Sequence, residues 1–156
     1  MANEVFALTD FRIVSSNFRL KTDKEYDLSK EFDIEISLSV GYEIYDEVNN
    51  LKLTMKVEII GDEMPISLII ESWSTFLFKD KIENGQALEQ LAKVNCAAIV
   101  FPYLREVVAD TVRRSGLPPL HLPPMNFVEM YFGNHPELTP PNMKSKAVTA
   151  KKKKST

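Results

Sequence analysis

Between residues 32 and 44 every second side chain is apolar: Phe32, Ile34, Ile36, Leu38, Val40, Tyr42 and Ile44. Asp33, Glu35, Ser37, Ser39, Gly41 and Glu43 stand between them. Successive side chains of a pleated strand point to opposite faces, so this period of two predicts a long strand with one buried face. Leu51, Leu53, Met55, Val57 and Ile59 repeat the pattern, interleaved with Lys52, Thr54, Lys56 and Glu58. Asp46, Glu47, Val48 and Asn49 close a hairpin between the two. Setting Glu43 opposite Lys52 places Tyr42 against Leu53 and Val40 against Met55. A slip of one residue would turn Lys52 into the core, so the pattern itself fixes the register.

A second hairpin follows. Residues 61–64 form its turn, and Pro65 suits the first position of a strand, where its missing N–H is tolerated. Ile66, Leu68, Ile70, Phe76 and Phe78 continue the buried face, while Ile69, Trp73 and Leu77 fall on the other. An N-terminal strand over residues 6–20 completes a set of four. Its phase changes, because Phe11 and Ile13 alternate one way and Phe18 and Leu20 the other. A bulge near Ser15 and Ser16 would reconcile them.

After Phe78 the period becomes helical. Leu88, Leu91 and Val94 make one stripe, and Val100, Leu104, Val107, Val108 and Thr111 a second. A break is expected near Asn95, with Pro102 either opening the second helix or kinking a continuous one. Arg113 and Arg114 suit the last turn, and Gly116 supplies the stop. Ile99 and Tyr103 lie beside the main stripe, so this helix has a second apolar face and is expected to need a partner there, making the protein a tetramer or at least a dimer. Four prolines in residues 117–125 impose an extended arm. Asn126 caps a short final helix carrying Phe127, Met130 and Tyr131, and Gly133 ends it. The organisation expected is one domain over residues 1–135 and a disordered lysine-rich tail over 136–156.

The chain of 156 residues has a formal charge of −3, unevenly distributed. The tail carries six lysines and one acid. The remainder has 13 basic and 21 acidic residues, and so is at −8. An acidic body does not suit nucleic acid, which needs a basic surface. No apolar run approaches the ~18 residues of a membrane span, and residues 1–7 do not resemble a signal peptide. With one cysteine, Cys96, no intramolecular disulfide can form, and a cytoplasmic location is expected. Cys96 reads as a small core residue, His121 as a surface or capping residue, and Glu106 with Asp110 as a polar helix edge. No catalytic constellation or glycine-rich phosphate loop is present in the sequence, so neither enzyme activity nor a cofactor or metal is expected. What is left over is apolar surface: a second sheet face, a second helix face, the arm and the aromatic helix. An obligate oligomer explains it, as does an oligomer that also binds apolar segments of other chains.

The run Ala98-Ile99-Val100-Phe101-Pro102-Tyr103-Leu104-Arg105-Glu106 resembles the Leu-Phe-Pro-Tyr-x-Arg-Glu signature of the SecB family of bacterial export chaperones. Arg114-Ser-Gly-Leu-Pro-Pro-Leu-His-Leu-Pro-Pro-Met-Asn-Phe follows at the family's spacing and resembles its second motif. The resemblance implies an α+β fold: a four-stranded antiparallel sheet, helices joined by an extended arm, and a tetramer built as a dimer of dimers. It implies an ATP-independent holdase that binds unfolded preproteins in apolar grooves. On this chain the groove candidates are Trp73, Phe76, Phe78, Leu120, Leu122, Phe127 and Tyr131. Ile99 and Tyr103 are candidates for the oligomer interface. Export members dock on the motor SecA through an acidic sheet surface and the C-terminal end. Here the strand over residues 66–78 offers only Glu71, and the C-terminus is rich in lysine. Other SecB-like chaperones serve single clients such as antitoxins.

Overall fold

The structure is a computed structural model and describes residues 6–23, 25–26, 34–45 and 49–138. Residues 1–5, Phe32, the turn residues 46–48 and the tail lysines lie outside the described residues. The chain divides into two compact units, Met1–Pro124 and Met125–Thr156. The first holds four strands, β1 (Phe6–Leu20), β2 (Ile36–Tyr45), β3 (Asn50–Ile59) and β4 (Ile66–Phe78). They form one antiparallel sheet in the order β1-β4-β3-β2. The fold is α+β, as expected.

The pairing of β2 with β3 follows the side-chain alternation residue for residue. Glu43 lies opposite Lys52, Tyr42 opposite Leu53 and Val40 opposite Met55. Asn49 takes a positive φ of 49° at the end of this turn, a conformation that asparagine tolerates. On β3 and β4 the face carrying Leu51, Leu53, Met55, Val57, Ile59, Leu68, Ile70 and Phe76 has no solvent contact. Ser72 and Ser74 also lie on this face and are buried. Ser72 Oγ donates to the Met55 carbonyl at 3.4 Å. The strand β1 keeps pace with β4 through two irregularities, between Leu8 and Asp10 and between Ile13 and Ser15. The phase change predicts one bulge near Ser15 and Ser16. It falls at Val14, next to Ser15 as expected, and a second irregularity at Thr9 shifts the alternation earlier.

The break expected near Asn95 does not occur. Helix α1 (Gly85–Gln90) runs into a π-helical segment, Leu91–Cys96, and on into α2 (Ala97–Arg114). The wide turn of a π helix shifts the phase of the side-chain stripe without interrupting the backbone. Ala92, Cys96 and Ala97 are fully enclosed there, and the π segment packs on β2 and β3 while α2 packs on β4. Asn84 caps α1, its Oδ1 accepting from the amides of Gln86 and Ala87 at 3.0 and 3.1 Å. Pro102 lies within α2, whose buried side chains are Ala97, Val100, Phe101, Leu104, Val108 and Val112. Gly116, at φ +91°, ends the helix, as its position after Arg114 predicts. Residues 117–125 have no helix or strand. The second unit holds α3 (Phe127–Asn134), capped by Asn126 through Oδ1 to the Glu129 amide, and a 3-10 turn, Pro136–Leu138.

Candidate functional site

Strands β2 and β3 carry equivalent apolar rows, yet their surroundings differ. The row on β3 is central and closed. Ile36, Leu38, Val40, Tyr42 and Ile44 of β2 are only half-buried, because β2 is an edge of the sheet. Its outward backbone groups meet no further strand among the described residues. Five partly accessible apolar side chains therefore line a free strand edge. Such an edge offers main-chain hydrogen bonds to an extended polypeptide, and the alternating side chains offer apolar contact. Alternation alone could not single out β2, since a central strand and an edge strand share the same pattern.

The seven groove candidates separate. Trp73 points to the outer sheet face and is 43% exposed. Phe76 and Phe78 point to the inner face; Phe76 is fully enclosed and Phe78 nearly so, and both touch the Phe6 ring. One face of the sheet cannot present all three. In the arm Leu120 is half-buried and Leu122 is buried, and in α3 Phe127 and Tyr131 are buried. Ile99 and Tyr103 are exposed on α2, with Tyr103 against the Phe11 ring at 5.7 Å between centres.

The outer sheet face is largely neutralised by its own pairs. Arg12 meets Asp10 at 2.6 Å, Lys52 meets Glu43 at 3.0 Å, and Lys56 meets Glu58 at 2.5 Å. The Lys52 hydrogen bond holds the Glu43 carboxyl below its ordinary pKa. The Lys52 ammonium also sits 4.3 Å from the Trp73 ring centre, and Trp73 Nε1 donates to Glu71 at 3.3 Å. Cys96 is enclosed, and burial pushes its thiol up to about 12, far from a reactive thiolate. His121 is exposed, as expected. Among the described residues no group of three or more His, Cys, Asp or Glu side chains could hold a metal, and no helix is long and apolar enough to cross a membrane.

Residues 16–137 match a family model described as SecB, preprotein translocase subunit SecB. The chain is similar to the protein-export protein SecB of Nitrosomonas europaea, with 32% identity over 101 residues, covering 64% of this chain and 63% of that protein. It is similar to the SecB of Acidithiobacillus ferrooxidans, with 44% identity over 101 residues, covering 63% of this chain and 67% of that protein. Its match thus spans somewhat under two thirds of the N. europaea relative. Among solved structures, a Mycobacterium tuberculosis SecB-like chaperone in complex with a ChAD peptide from the HigA1 antitoxin shares its fold. The TM-score is 0.67 at 14% identity, covering 77% of this chain and 90% of that one.

Proposed function

The chain belongs to the SecB family, and from that premise we propose that it is an ATP-independent holdase chaperone of non-native polypeptides, including preproteins for export. The observation that carries this reading is the family match over residues 16–137. The partly accessible apolar row on the β2 edge supports it, because an extended apolar segment can be held there by backbone pairing and alternate side-chain contacts. Leu120 adds apolar surface from the arm, and Trp73 from the outer face. Phe76, Phe78 and Leu122 serve it as packed support within the first unit, and Phe127 and Tyr131 are proposed client contacts of α3 in the second. No step of this activity calls for nucleotide, metal or catalytic side chain.

The proposed assembly is a homotetramer, a dimer of dimers, in the cytoplasm, with Ile99 and Tyr103 in its interfaces. Delivery of clients to SecA belongs to the same reading. The self-paired charges of the outer sheet face count against an acidic docking surface there. The fold likeness to a chaperone bound to an antitoxin peptide favours a second reading, a chaperone dedicated to one such client. The two readings part in one assay. A general holdase, added without ATP, suppresses aggregation of several unrelated denatured proteins. Suppression of only one client moves the assignment to the dedicated chaperone, and suppression of none removes both.

A further inference from the structure

Gly41 lies in the middle of β2, and nothing within the chain calls for a glycine there. Its φ is not positive; among the glycines Gly116 alone takes that conformation. The β2–β3 register runs unbroken through it, with Gly41 opposite Thr54, so it does not serve a bulge. A Cβ added at Gly41 would meet nothing within 4 Å, so no neighbour crowds it. A glycine inside a strand forfeits side-chain packing and costs backbone entropy, so β2 carries it at a loss. With bulge and crowding set aside, the remaining reason for a strand glycine is close approach of something outside the chain.

The surroundings of Gly41 point to what approaches. It lies on the outer face of the edge strand, among Ser37, Ser39, Glu43 and Tyr45, all exposed. Across the sheet its neighbours are Thr54 on β3, Trp73 on β4 and Arg12 on β1. A further strand added to β2 would lie about 4.8 Å beyond it, with one residue directly opposite Gly41. The side chain of that residue points to the same outer face and finds no Cβ beside it, so a large ring can lie over the glycine toward Thr54. Cover of this kind is the rescue of an edge glycine by an aromatic neighbour. Residues 31–47 hold six acidic and no basic residues, so charge complementarity favours a neutral or basic strand there over an acidic one.

We propose that Gly41 is a specificity-determining residue of the β2 edge: it accepts an extended segment of a non-native polypeptide in the register that sets an aromatic side chain opposite it. The inward side chains of that segment then continue the half-buried row of Ile36, Leu38, Val40, Tyr42 and Ile44. The inference rests on the client-binding reading above and adds register and side-chain choice to it.

Two net-neutral peptides of alternating valine and threonine, labelled for fluorescence anisotropy, test this on the full chain. One central threonine is replaced by tryptophan in the first peptide and by alanine in the second. The wild type is expected to bind the tryptophan peptide about fivefold more tightly, the scale of one good cross-strand aromatic contact. Gly41→Val fills the notch with a residue that suits a strand. It is expected to abolish the preference while the melting temperature stays level or rises. Gly41→Ala is expected to lose part of the preference, and it keeps the test open if the valine variant folds poorly. A glycine needed by the fold itself would behave the other way, with a lower melting temperature in both variants and an unchanged preference, and that result overturns the proposal. So does equal binding of the two peptides by the wild type, or binding of neither while aggregation of denatured proteins is still suppressed. Those outcomes leave the chaperone reading in place, whereas a wild type that suppresses no aggregation removes that reading and the proposal with it.

Discussion

Leu120 and Leu122 stand two residues apart in the arm and meet different surroundings. Leu122 is 1% exposed, while Leu120 keeps accessible surface. Truncating an enclosed leucine removes its transfer energy and leaves a cavity. Leu122→Ala is therefore expected to cost about 2–5 kcal/mol of stability, visible as a lower denaturation midpoint. Leu120→Ala should leave the midpoint nearly unchanged and weaken binding of an unfolded apolar client. Equal destabilisation by both would mean that the arm offers packing alone. The sequence makes both residues candidates because alternate apolar positions are legible in an extended stretch. Which of them is covered depends on tertiary neighbours that the local pattern does not encode. The same limit applies to Phe76 and Trp73, whose opposite faces follow from their odd spacing, although what covers each face does not.

The β2–β3 register was legible to the residue because a one-residue slip would reverse every side chain of the pair. The π segment was not. The stripe through Leu88, Leu91 and Val94 is out of phase with the one through Val100 and Leu104. A chain can absorb that mismatch by breaking or by widening one turn. The side-chain pattern reports the mismatch and not the hydrogen bonds that resolve it. Small Ala92, Cys96 and Ala97 let the wide turn lie against the sheet, so the chain stays continuous. Its weak end is α1, which buries none of its six residues and depends on the Asn84 cap. Asn84→Ala is expected to cost about 1 kcal/mol. The loss should be local, with hydrogen exchange accelerating at the amides of Gln86 and Ala87 and unchanged on β3. Unaltered exchange at both amides would show that α1 is held by other contacts.

At the scale of the whole molecule, one β2 edge is a modest binding surface, and holding a long unfolded chain on it alone would be weak. Assembly changes the arithmetic. In the proposed assembly, once one segment of a client is bound, a second segment would search for a neighbouring protomer's edge at an effective concentration of order millimolar, set by the connecting chain. Two segments that each bind at about 10 µM would then bind together at about 0.1 µM, a hundredfold gain without any new contact. The acidic body, at −8 outside residues 136–156, adds attraction for basic segments that weakens as salt rises. A tandem peptide with two copies of an apolar segment, joined by about 20 flexible residues, is expected to bind roughly a hundredfold more tightly than the single segment. Fluorescence anisotropy at fixed ionic strength reads both affinities. The gain should vanish in a variant that no longer assembles, while the single-segment affinity persists. A tandem peptide that binds only about twice as tightly, the statistical factor for two copies, would show that the protomers act one at a time. Client retention would then have to come from a single surface much stronger than the half-buried row of β2 suggests.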